Sequence, residues 1–170
     1  MKEEKLVALL RELIKNSKRS DRELAKAIGA SQPTVTRNRR TLDKYIRNYT
    51  IIPEFSKIGY EILAITFAKA RTYNREETGK KVESTRNWMK THANIIFASE
   101  GEGLGKDAVT ISLHENYSNY ANFIRDYSLG IADFLSDVQS FVVSLKTGVV
   151  FKPLDLTNLV DDIKDIHLEG

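Results

Sequence analysis

Residues 20–45, SDRELAKAIGASQPTVTRNRRTLDKY, carry start and stop signals so closely spaced that they specify two short helices with a tight turn between them. Ser20 followed by Glu23 is a capping box: the serine hydroxyl accepts from the Glu23 N–H, and the carboxylate reaches back to the Ser20 N–H. Leu24, Ala25 and Ile28 give a short apolar stripe at helical spacing. Gly29 then stands where a helix ends in a left-handed residue. Ser31 is a second N-cap, and Pro33 falls in the first helical turn, where its missing N–H is no loss. This is the spacing of a helix-turn-helix.

At about 100° per residue, Val35 and Leu42 fall on one side of the second helix, and Thr36, Arg37, Arg40, Thr41 and Lys44 fan across the other. Charged helix faces are usually just solvated. Here, however, residues 33–42 hold three arginines and no acid, whereas a solvated helix mixes signs to gain i,i+4 pairs. Lysine and arginine meet phosphates, and an arginine fork also binds guanine from the major groove. The candidate contacts to double-stranded DNA are therefore Ser31, Gln32, Thr34, Thr36, Arg37, Arg40, Thr41 and Lys44.

Charge distribution agrees. Residues 1–52 hold 13 Lys+Arg against 6 Asp+Glu and residues 53–170 hold 13 against 17, so the overall +3 conceals a basic first part and a mildly acidic second one. Such asymmetry suggests nucleic acid on the first part and another task for the second. A hydrophobic fraction of 41% and a charged fraction of 29% exclude a disordered chain. No apolar run reaches the ~18 residues of a membrane span, and MKEEK opens directly into an amphipathic helix rather than a signal peptide, so a cytoplasmic protein without a membrane partner is expected. There is no cysteine. His92, His114 and His167 lie far apart without i,i+4 partners, and neither a metal site nor a cofactor is expected.

In chain order, Leu6, Leu10 and Leu13 with Val7, Leu9 and Ile14 predict a first helix ending near Asn16. Residues 46–52, β-branched and aromatic and stopped by Pro53, predict a strand or wing. The pattern of 54–61 reads as a connector. A strand over 61–69, a helix over 75–92, strands over 94–100 and 107–114 around the loop GEGLGK, a helix over 117–129 with Gly130 as its C′ residue, and a strand region over 138–150 complete the alternation. Val82, Trp88 and Met89 are the expected buried contacts of the 75–92 helix, and Phe134 and Leu135 are expected to extend the helical region before the last strand. The fold class is thus α+β: an N-terminal winged helix-turn-helix, residues 1–52, a connector, 53–61, and a ferredoxin-like βαββαβ domain, 62–152. Residues 153–170 form an acidic amphipathic tail with the pattern of one more helix.

Taken together, the chain resembles the Lrp/AsnC-type transcription regulators. The resemblance is carried by LVALLRELIKNSKRSDRELAKAIGASQPTVTRNRRTL, with its S-x-x-E-L-A, G-x-S and T-V-x-R elements, and by Thr50, Pro53, Ile58, Gly59 and Tyr60; beyond Tyr60 it rests on element order. Arg39 stands where the family has an apolar residue, and LDKYIRNYT lacks the family's Gly-Val-Ile entry to the wing. The resemblance implies a DNA-binding regulator, not an enzyme, that forms a homodimer or higher oligomer through its sheets. It also implies modulation by a small effector such as an amino acid, bound near the hairpin between the second and third strands by a RAM-type effector and dimerisation domain.

That hairpin carries Glu100, Gly101, Glu102, Gly103 and Asp107, the candidate effector-binding residues, whose carboxylates suit an α-amino group or cation. A phosphate-cradling reading of the glycines fails, because a strand and not a helix follows them. An enzyme of the same two-domain layout, of the tetrapyrrole decarboxylase kind, is the alternative. Its chemistry needs a histidine or tyrosine with a cation, and the cluster His114, Tyr117 and Tyr120 is the candidate, against a plain buried aromatic face. An apolar sheet surface supplied by Ile62, Ala64, Phe97 or their alternating neighbours is expected to hold the dimer.

Overall fold

Seven residues explain why three helices close on one another at the N-terminus. Leu6, Leu9 and Leu13 recur at helical spacing on α1 (Lys2–Lys15), Leu24 and Ala25 on α2 (Asp21–Ala27), and Val35 and Leu42 on α3 (Gln32–Leu42), and all are buried in one cluster. The computed structural model describes residues 2–71, 75–131, 134–146 and 150–164. It divides into two units, residues 1–52 with 153–170, and residues 53–152. The capping box forms, with the Ser20 N–H donating to the Glu23 carboxylate at 2.8 Å and the Glu23 N–H to the serine hydroxyl at 3.3 Å. Gly29 takes φ +60°, and the Ala30 N–H closes on the Ala25 carbonyl at 2.9 Å, a Schellman-type stop that glycine permits without strain.

The C-terminal segment joins this first unit, although its expected helix is a single 3-10 turn, Leu156–Leu159. Val160 is buried, and the Arg11 guanidinium donates through Nε to the Ile163 carbonyl at 3.0 Å. Residues 165–170 of that tail lie outside the described residues. The strand expected over 46–52 does not form: residues 46–52 pair with no other segment in a ladder among the described residues.

In the second unit, a 3-10 turn, Phe55–Ile58, leads through Gly59 at φ +98° into β1 (Ile62–Ala70). Then follow α4 (Arg75–Thr91), β2 (Ile95–Gly103), β3 (Lys106–His114), α5 (Tyr117–Gly130) and β4 (Leu135–Ser144). The strands form one antiparallel sheet in the order β2-β3-β1-β4. One face, through Ala68, Ala108, Val138 and Ile95, packs on Trp88 and Met89 of α4 and on Phe123, Tyr127 and Ile131 at α5. Val82 is partly buried.

Register assigns the other face. Phe97 pairs with Ile111, Ile111 with Ile65 and Ile65 with Phe141, an apolar row across all four strands. Leu63 between Leu113 and Val143, and Phe67 beside Val109, add two further rows. Ile62 and Ala64 lie in register with His114 and Ser112 on the helix-covered side, so of the two alternating sets expected to supply the open surface it is their neighbours that do so, since alternate residues of a strand point to opposite faces. Leu63 and Ile65 take their place beside Phe97.

Three boundaries differ from expectation. The hairpin loop is not GEGLGK: β2 runs through Gly103 and the turn is Leu104–Gly105, with φ +53° and +67°, a two-residue turn of the kind that matches strand twist. Gly130 is not a left-handed C′ residue but the last residue of α5, and Ile131 follows as the cap. A Cβ at 130 would stand 2.6 Å from Trp88 Nε1, so the glycine makes room for the indole. Leu135 begins β4 instead of extending a helix, and the expected strand past 146 falls partly on 147–149, outside the described residues.

Candidate nucleic-acid interface

Helix α3 is anchored at three places before any of its outward residues is considered. Ser31 caps it, accepting from the Thr34 N–H at 3.4 Å while the two hydroxyls share a hydrogen bond of 2.8 Å. Val35 and Leu42 are fully buried against α1 and α2. Asp21, in the first turn of α2, receives the Thr36 hydroxyl at 2.6 Å on one carboxylate oxygen and Arg39 Nη1 at 2.8 Å on the other. The Thr36 hydroxyl, then the Arg39 guanidinium, hold the Asp21 carboxyl below its ordinary value. Arg39 also reaches the Ser17 carbonyl at 3.3 Å and lies under the Tyr49 ring at 5.9 Å, so the cation on the inner edge of the helix is paired rather than left buried alone.

With the inner edge fixed, the outer face is open. Gln32, Arg37, Arg40 and Lys44 are exposed, and Thr34, Thr36 and Thr41 are half-buried. Thr36 is occupied by Asp21, and the Thr41 hydroxyl donates back to the Arg37 carbonyl at 3.3 Å. Ion pairs in this unit use Lys15, Arg19 and Arg39. Arg37, Arg40 and Lys44 have no ion pair among the described residues, which leaves three forks and ammoniums available to a polyanion. The residues that sequence reasoning did not assign are Asp21 and Tyr49. An acid 18 positions before an arginine on a helix's inner edge is the only trace Asp21 leaves in the sequence.

The hairpin residues occupy a different setting from the one expected. Glu100, Gly101, Glu102 and Gly103 are exposed on strand β2, and Gly103 pairs with Lys106 across the turn. Asp107 accepts from the Ala70 N–H at 2.8 Å, where the β1–β4 register shifts, so its carboxylate closes the end of β1. No cluster of three metal-ligating side chains occurs among the described residues. No helix of the described residues is long and apolar enough to cross a membrane.

His114 is buried in aromatic packing. Its ring meets Phe123 at 4.9 Å and Tyr120 edge-on at 5.5 Å, and Nε2 shares a hydrogen bond of 2.8 Å with the Ser112 hydroxyl. Tyr117 contacts Tyr120 but is itself exposed. Burial pushes the His114 imidazole below its ordinary pKa, toward the neutral form.

No protein-family model matches the sequence, and no curated protein is similar to it in sequence. Solved structures do match. A transcriptional regulator from Neisseria meningitidis in complex with L-Met superposes with a TM-score of 0.76 at 14% identity over 90% of this chain and 93% of its own. An AsnC family transcriptional regulator from Agrobacterium tumefaciens gives 0.71 at 17% identity over 91% and 97%, and LrpC from B. subtilis 0.68 at 23% identity over 89% and 96%. The chain shares the α+β fold of these regulators along nearly its whole length.

Proposed function

We propose that this chain is a sequence-specific DNA-binding transcription regulator of the Lrp/AsnC type, acting in the cytoplasm. Its first unit works as a helix-turn-helix domain without a stranded wing and its second as a ferredoxin-like domain for dimerisation and effector binding. The observation that carries the reading is the outward face of α3, where Arg37, Arg40 and Lys44 stand exposed and without an ion pair among the described residues while Asp21 and Ser31 hold the helix in place. Arg37 is assigned to base edges, and Arg40 and Lys44 to phosphates, with Ser31, Gln32, Thr34 and Thr41 around them. Thr36 is assigned to holding the helix through Asp21.

The apolar row Phe97, Ile111, Ile65 and Phe141 supports association of two copies through their sheets. Phe141 is 67% and Phe97 50% exposed in the single chain, and a face of that kind calls for cover. An amino acid effector is supported by the L-Met complex of the Neisseria regulator. Glu100 and Glu102 are assigned to it, Gly101 and Gly103 giving backbone access, while Asp107 keeps the strand end in place.

Selection of bound sequences from random duplex DNA tests the function. A two-fold symmetric motif with half-sites about one helical turn, ~10 bp, or a multiple of it apart is the expected result. Arg37→Ala should then cost ~1 to 3 kcal/mol on that motif and relax one position. Absence of any enriched sequence overturns the reading.

A further inference from the structure

The cationic row on α3 does not stop where the helix does. Asp43 keeps helical backbone angles, φ −55° and ψ −24°, and the Ile46 N–H closes on the Leu42 carbonyl at 3.1 Å, so the chain makes one more turn in the same sense through residue 46. Arg47 is the next residue. At about 100° per residue, Arg37, Arg40, Lys44 and Arg47 fall within an arc of about 80° along roughly 15 Å of axis. Arg47 is exposed and, like the other three, has no ion pair among the described residues.

Tyr49 holds this extension in place. Its hydroxyl donates to Asp43 Oδ1 at 2.9 Å, which closes residues 43–49 into a loop, and its ring lies over the Arg39 guanidinium. Asp43 is the only acid between Glu23 and Glu54. On the same angular count it stands about 120° round the axis from Arg37 but only about 40° from Arg47, and the Tyr49 hydroxyl engages its carboxylate, with which Arg47 forms no ion pair among the described residues.

We propose that Arg47 is a phosphate-contacting residue of the DNA interface, and that Tyr49 is the positioning residue that presents it, in the place where the expected wing is missing. The ligand is the phosphodiester backbone flanking the segment that α3 reads. The inference rests on the regulator reading and deepens it.

Binding of full-length wild type, Arg47→Ala, Arg47→Lys, Tyr49→Phe and the Tyr49→Phe, Arg47→Ala double variant is measured on the selected operator and on random duplex across a salt series. Arg40→Ala serves as the reference for a contact on α3 itself. One phosphate lost from each of two protomers lowers the salt slope by about 1.8, so Arg47→Ala should weaken binding about 12-fold more at 50 mM than at 200 mM salt. The loss should be alike on both duplexes, and Arg47→Lys should restore the slope. Tyr49→Phe keeps the ring over Arg39 and loses the hydroxyl's bond to Asp43 and its contact with the Arg39 guanidinium; it should lower the slope partway and add nothing to Arg47→Ala.

If Arg40→Ala lowers the slope and Arg47→Ala does not, the inference fails while the regulator reading stands. If neither does, the inference fails together with the assignment of Arg40 to phosphate, and if selection yields no operator the regulator reading itself fails. A Tyr49→Phe effect that persists undiminished in the Arg47→Ala background refutes the positioning role.

Discussion

Replacing Phe141 by alanine tests whether the open sheet face joins two copies of the chain. A phenylalanine offers about 200 Å² of surface. With 67% of it exposed, ~130 Å² is available for burial, worth ~3 kcal/mol at 25 cal/mol per Å² as an upper figure. Part of that is regained by the alanine methyl, leaving about 2 to 3 kcal/mol for each protomer. A two-fold interface uses the same patch twice, so the substitution counts twice and the dimer Kd should rise about 10³ to 10⁴-fold.

Sedimentation velocity over a concentration series reads this directly, a nanomolar dimer becoming a micromolar one. Phe141 belongs to the row opposite the helices, so far-UV circular dichroism should not change. Phe151→Ala, which removes a fully exposed ring outside the sheet, is the control and should leave association alone. Wild type that remains monomeric at micromolar concentration, or Phe141→Ala with an unaltered dimer Kd, refutes the argument.

Trp88, the only tryptophan, reports on the second unit and serves three further tests. Gly130→Ala sets a methyl against the indole, and overpacking should outweigh the ~1 kcal/mol of helix propensity gained and destabilise by about 1 to 2 kcal/mol in urea; net stabilisation would show that the indole yields freely. Leu104, in a left-handed conformation at the hairpin tip and 82% exposed, costs about 1 kcal/mol that Leu104→Asn should recover as a higher denaturation midpoint; a lower midpoint would mean that the leucine is held by contacts its exposure does not reveal. For His114 the folded pKa lies below the unfolded 6.5, so the unfolded chain takes the proton first. Stability should be constant above about pH 6.5, fall as pH drops from there toward the folded value, and level off below it. His114→Gln should remove that acid loss, and a variant with the same profile would place the titration elsewhere.

What the sequence made legible was whatever depends on neighbours a few residues apart. The capping box at Ser20, the stop at Gly29, the cap at Ser31 and the alternation of β1 are local agreements between side chain and backbone, and all four are present in the fold. The misread places share a different cause. Residues 46–52 have strand propensity, but a strand needs a partner, and Tyr49 instead turns back to Asp43. Gly130 looks like a helix stop because its real reason, Trp88, lies 42 positions away. In GEGLGK, Gly103, at a positive φ of +156° that glycine tolerates, stays in β2, so the loop shrinks to two residues with a leucine where asparagine would be expected. At the candidate site, exposed cations are visible from composition, whereas Asp21 and the grip of Arg11 on Ile163 depend on pairings across 15 to 152 residues that no local pattern encodes.

Association through the sheet face and binding through α3 are thermodynamically linked. If the operator is two-fold symmetric, the species that binds it tightly is the dimer, and the free energy of occupying it from free monomers is the sum of dimerisation and dimer–DNA binding. A residue on the sheet face that never touches DNA must therefore affect operator binding. At protein concentrations below the dimer Kd, Phe141→Ala should weaken operator occupancy by up to the same 10³ to 10⁴-fold and steepen the dependence on protein concentration toward second order. At concentrations that restore the dimer, occupancy should return to wild type, because Arg37, Arg40 and Lys44 are untouched. Arg40→Ala should behave in the opposite way: its defect should persist at every protein concentration at which the dimer is formed and shrink only as salt rises and screens the contact in both proteins. The measurement is operator occupancy over a grid of protein and salt concentrations for the two variants. If Phe141→Ala monomerises the chain and leaves operator binding first order and undiminished, each monomer reads DNA alone, and the symmetric-operator reading is wrong even if the sheet-face dimer is right.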